Sequence, residues 1–253
     1  MVRLVLGPRR RNVLLHLEVY IFIADDEPQP STSRASTGQT STSNGDANQT
    51  SQSSTSTEDA NQFNVVHVDP SHLNVYSESV RKSYEKSVEL LKKSLPEDMR
   101  DSTRVKSVYV VENKNLENNL KEESDEDPEG YFYAYHAAPC PEVIGKVLKT
   151  NLKMKFVRNH IYGKGIYFVD KPDLSAENGV LLCRVVRGQQ FESAVLNQDI
   201  PPGHNSKIVR SDALGCGDIT IVQESARILP CFVIHLEPPA VKAASSLATR
   251  GKG

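Results

Sequence analysis

Three short blocks hold the residues whose types and spacing could do chemistry. They are Tyr133-Ala-Tyr-His-Ala-Ala138, Tyr162-Gly-Lys-Gly-Ile-Tyr-Phe-Val-Asp170 and Asp218-Ile-Thr-Ile-Val-Gln223, the last followed by an apolar run over 228–234. The first block carries His136, followed by two small residues, and its ring can donate through one nitrogen and accept through the other. The second sets a lysine between Gly163 and Gly165, ahead of Tyr167. Glycine allows a backbone to approach a ligand closely, where a Cβ would collide. The third carries Ile219, a side chain that can neither accept a hydrogen bond nor polarise a hydroxyl. Taken singly, a histidine on an apolar strand is more often a hydrogen-bonded core residue, and a Gly-x-Gly is as often a plain turn. The order of the three blocks, and the elements between them, make the stronger case.

Those elements follow from periodicity. Val80, Tyr84, Val88 and Leu91 recur at helical spacing, which predicts an amphipathic helix over 77–94 that ends at Leu95-Pro96. A strand is expected over 105–111, a short helix over 115–122 and an exposed acidic loop over 122–129, which contains Pro128. Then the texture turns to short strands, expected over 131–137, 165–169, 180–186, 206–210, 218–223 and 228–236. A helix over 141–152 lies between the first two, with Pro141 in its first turn and Val143, Val147 and Leu148 on one face. A helix first and mostly strands afterwards predicts an α+β class around a largely antiparallel sheet.

The three blocks together resemble the catalytic domain of the poly(ADP-ribose) polymerase family. Its signature is a strand ending in His, then Tyr-Gly-Lys-Gly-Ile-Tyr-Phe, then a late strand with a catalytic position. Seven consecutive residues match in the second block, and the similarity extends faintly upstream through 105–116. The resemblance implies an ADP-ribosyltransferase-like fold and NAD as the substrate, without a metal. Such enzymes break the bond between nicotinamide and ribose, so the protein must orient the dinucleotide and stabilise charge on the sugar. By resemblance His136 bonds the adenosine ribose, the backbone of Ala137 clasps the nicotinamide amide and Tyr167 packs along the nicotinamide ribose. Gly163 and Gly165 then admit the ligand, Ser175 bonds the amide, and Arg158 is the contact for the adenosine–phosphate half.

Polymer-forming relatives carry Glu where this chain has Ile219. The His136, Tyr167 and Ile219 set therefore resembles the mono-ADP-ribosylating members, which transfer a single unit to an acceptor protein, with Glu or Asp side chains as the expected acceptors. Ala137 stands for Gly, Ala138 for Thr or Ser, and Asn178 for an aromatic residue that stacks on the nicotinamide ring. The alternative reading is a catalytically inactive relative that acts as a binding or scaffolding module. An unrelated α+β domain with a coincidental motif is the third.

Composition bounds the remainder. Of 253 residues, those over 27–62 are almost wholly Ser, Thr, Gln, Asn, Gly and Asp, which predicts a disordered linker. It separates a leader over 1–26 from one globular unit over 63–239, and a frayed tail follows over 240–253. A formal net charge of -2 leaves no electrostatic footprint for nucleic acid. Cys140, Cys183, Cys216 and Cys231 have no metal-ligand spacing. The apolar run over 13–23 follows Arg9, Arg10 and Arg11 as in a signal peptide. It carries His16 and Glu18, lacks a small-residue cleavage site and is too short to span a bilayer. An intracellular protein, cytoplasmic or nuclear and without membrane contact, is expected.

Overall fold

The structure, a computed structural model, describes residues 62–156, 161–210 and 216–237. The expected leader and tail, and the expected linker up to its last residue, Gln62, lie outside the described residues, as does Arg158.

Nine strands join in one mixed, mostly antiparallel sheet: β1 (Phe63–Val68), β2 (Val105–Asn113), β3 (Tyr131–Ala137), β4 (Ile166–Val169), β5 (Val180–Val186), β6 (Gln190–Glu192), β7 (Ser206–Val209), β8 (Ile219–Val222) and β9 (Ile228–Leu236). Their spatial order is β1-β2-β9-β5-β3-β4-β8-β7-β6. Among the described strands, only β6 and β7 pair in parallel. Among the described residues four α-helices accompany the sheet: α1 (Glu78–Ser94), α2 (Glu97–Arg100), α3 (Lys114–Asp125) and α4 (Pro141–Thr150). The α+β class expected from the sequence is the class observed.

Strand alternation sorts the core into two layers. On one face Val143, Val147 and Leu148 of α4 pack with Val111, Ala134, Leu181, Cys183, Val185 and Val233. On the other, Leu91 of α1 and Leu116 and Leu120 of α3 pack with Val108, Val110, Leu182, Val186, Phe232 and Ile234. A third, smaller cluster under the far strands holds Tyr167, Val209, Ile219 and Ile221. Strands covered on both faces read as near-continuous apolar runs, and β5 (Val180–Val186), interrupted by Arg184, and β9 up to Ile234 are of that kind.

The helix ends have local causes. Ser77 caps α1 by accepting from the Val80 N–H, and Leu95 leaves the helix in an extended conformation ahead of Pro96. Asn113 caps α3 from the last position of β2 and accepts from the Leu116 N–H at 3.2 Å, so strand passes to helix with no loop between. Helix α3 is longer than the short helix expected over 115–122. The helix begins at Lys114 and runs to Asp125, into the stretch expected to be a loop, because Leu116 and Leu120 anchor one face while Glu122 and Glu123 extend it. Strand β1 was not anticipated, nor was β6; β4, β7 and β8 are shorter than expected by one or two residues. No helix among the described residues is long and apolar enough to cross a membrane.

Candidate functional site

The three sequence blocks fall on β3, β4 and β8, which are neighbours in the sheet. Strands β3 and β4 meet at one rung, Tyr135 opposite Val169. Beyond that rung they are joined by a side chain: His136 Nδ1 donates to the Tyr167 carbonyl at 2.8 Å. The imidazole takes up a carbonyl that a continued ladder would have used.

This bond settles the histidine's chemistry. His136 is 2% exposed and its ring lies 5.7 Å from the Phe168 ring, centroid to centroid. Burial pushes its pKa below the ordinary histidine value, with the Tyr167 carbonyl pulling weakly the other way. A carbonyl only accepts, so the proton of the neutral ring sits on Nδ1 and Nε2 carries a bare lone pair. That Nε2 is buried and has no hydrogen-bond partner among the described residues.

Tyr167 points into the other cluster, where it meets Ile219 and Ile221. Its hydroxyl donates to the Gly163 carbonyl at 2.6 Å and accepts from the Tyr162 N–H at 2.9 Å. The tyrosine thereby holds the loop that leads into its own strand. Both glycines of that loop are required by the chain itself. Gly163 has φ +108°, and a Cβ there would lie 2.2 Å from the Gln198 carbonyl oxygen. A Cβ on Gly165 would lie 2.3 Å from Cγ2 of Ile221. Close approach is needed at both positions, and the atoms approached belong to the protein.

Ile219 is fully buried between Val169 of β4 and Val209 of β7. The adjacent Asp218 carboxylate is engaged by the Arg210 guanidinium. Ala137 is exposed at the end of β3, opposite Val180, whereas Ala138 is buried and donates its N–H to the Gly179 carbonyl at 3.2 Å. Ser175 is exposed; its hydroxyl gives its proton to Asp173 at 2.7 Å and so offers only lone pairs outward. Asn178 is half-buried in the next turn, which the Gly179 N–H closes onto the Ala176 carbonyl at 2.9 Å. His136, Tyr167 and Ile219 thus occupy three adjacent strands, while Ser175 lies on the loop between β4 and β5.

The sequence reading missed Lys207. It lies in β7, is fully buried and supports the Tyr162–Gly165 loop from beneath. A lysine among Ser206, Ile208 and Val209 in a four-residue strand was the one available signal. Among the described residues, no three His, Cys, Asp or Glu side chains gather as a metal site. Compared with models of known families and with curated proteins, the chain matched none.

Proposed function

We propose that the chain is an NAD-dependent mono-ADP-ribosyltransferase, with its site where β3 and β4 part at His136 and an overall fold of the ADP-ribosyltransferase kind. The observation that carries this reading is the unpartnered Nε2 of His136. A buried lone pair without a donor is costly to leave unsatisfied. A neutral imidazole whose tautomer is fixed by Tyr167 is suited to accept a bond from a ribose hydroxyl. Ala137, exposed beside it, offers backbone groups to a carboxamide.

Breaking the glycosidic bond expels nicotinamide and leaves positive charge on the ribose, so a site needs orientation more than a strong acid. Growth of a chain needs more. A ribose hydroxyl must lose its proton to attack a second NAD, and Ile219 supplies no acceptor. Asp218 is held by Arg210 and does not replace it. A carboxylate acceptor on a protein arrives already charged, so the first transfer proceeds without that group.

The test is the intact mass of the protein after incubation with NAD. Modified protein is expected to gain separate single ADP-ribose units, and ladders of linked units released by digestion would contradict the reading. A second reading, a binding module without turnover, draws support from the Tyr167 hydroxyl, whose proton is committed to Gly163. NAD binding without nicotinamide release would favour it.

A further inference from the structure

We infer that Lys207 is a positioning residue, whose buried ammonium clamps the 193–199 segment onto the Tyr162–Gly165 loop and so sets the shape of the loop beside the candidate site. Its consequence for a ligand rests on the reading just proposed; the clamp itself does not.

Lys207 lies directly opposite Ile221 of β8, and Ile221 lies directly opposite Tyr167 of β4. The three form one row across three strands, and the two ends of that row grip the same residue. The Tyr167 hydroxyl accepts from the Tyr162 N–H, and Lys207 Nζ donates to the Tyr162 carbonyl at 2.8 Å. Between them, Ile221 fills the space under Gly165 that a Cβ would occupy.

The other two N–H bonds of the ammonium go to the carbonyls of Val195 at 3.0 Å and Gln198 at 2.9 Å. Three donors meet three acceptors, and each is a main-chain carbonyl. Lysine is almost never wholly enclosed, because its charge must leave water. Burial accordingly lowers the pKa of Lys207, with the Asp199 carboxylate acting against the shift. Apolar packing alone would be served as well by methionine. Only a group with three donors brings together three carbonyls from two segments. Shorter links complete the junction: the Asn197 N–H donates to the Ile161 carbonyl at 2.8 Å, and the Lys164 N–H to Asp199 Oδ1 at 2.8 Å.

The experiment is hydrogen exchange on the full chain for wild type, Lys207→Met and Lys207→Gln, with NAD titrated into each. In folded Lys207→Met the amides of Tyr162, Lys164 and Asn197 are expected to exchange at least about tenfold faster, while those of β5 and β9 hold their rates. The NAD dissociation constant should rise about tenfold with them. Lys207→Gln, whose amide keeps two donors, should fall between. Unchanged loop exchange in folded Lys207→Met would overturn the inference. So would exchange that quickens equally in β5 and β9, or failure of both variants to fold, since Lys207 would then serve the core as a whole. A wild type that never binds NAD, with the loop-specific exchange intact, would sink the proposed function and leave the clamp standing.

Discussion

At His136 a single ring answers two demands. Nδ1 ties β3 to β4 through the Tyr167 carbonyl, and Nε2 is buried without a hydrogen-bond partner among the described residues; the proposed reading gives it a ligand hydroxyl. Ile219 answers one demand, packing, and its enclosure makes a direct prediction. Replacing it with glutamate would bury a carboxylate between Val169 and Val209. Ile219→Glu is expected to lose about 3 kcal/mol or more in denaturant unfolding. Burial would raise that carboxyl's folded pKa above its unfolded one, so the protonated form is the tolerated one. The loss should therefore be smaller at about pH 5 than at about pH 8. An Ile219→Glu protein as stable as wild type at both values would mean that the position opens to solvent, and the account of single-unit transfer would lose its structural basis.

Among the elements, the loop before β4 is where local conformation and long-range packing meet. Gly163 and Gly145 make a controlled comparison. Gly163→Ala would drive a Cβ into the Gln198 main chain at a positive φ. A cost above about 2 kcal/mol is expected, because backbone must move. Gly145 is exposed within α4, and a Cβ there meets nothing within 4 Å. Gly145→Ala is expected to stabilise by about 0.5–1 kcal/mol through helix propensity. Thermal melts of the two variants check this, and equal effects would show that the Gly163 loop is not clamped.

The same scale shows what was legible in the sequence. The bounds of β3, β5 and β9 are those expected, since Gly130, Gly179 and Gly188 punctuate two of them and each is a long Tyr-, Val- or Leu-rich run. Helix α1 was legible from its apolar spacing and the Leu95-Pro96 break. Strand β1 was not, because Asn64 and His67 break the pattern and its partner β2 lies some forty residues on. The parallel pairing of β6 with β7 depends wholly on tertiary contact. Lys207 was missed because composition assigns lysine to the surface. Within the candidate site the strands that carry the three blocks were legible, but the packing demands on their residues were not. Gly163 and Gly165 read as room for a ligand and prove to be room for Gln198 and Ile221.

For the whole molecule, the sheet order decides what can act together. Blocks separated by tens of residues come to lie on β3, β4 and β8, and β3 and β4 share a single rung, at Tyr135, next to His136. The central claim is that this junction binds NAD through His136 Nε2. A calorimetric titration of the full chain with NAD tests it most directly, set beside His136→Ala under the same conditions. The account predicts a sub-millimolar dissociation constant for the wild type, which corresponds to more than about 4 kcal/mol of binding free energy. It predicts at least about tenfold weaker binding for a folded His136→Ala protein. No heat of binding to the wild type at millimolar NAD, or equal affinity in the two proteins, would contradict it.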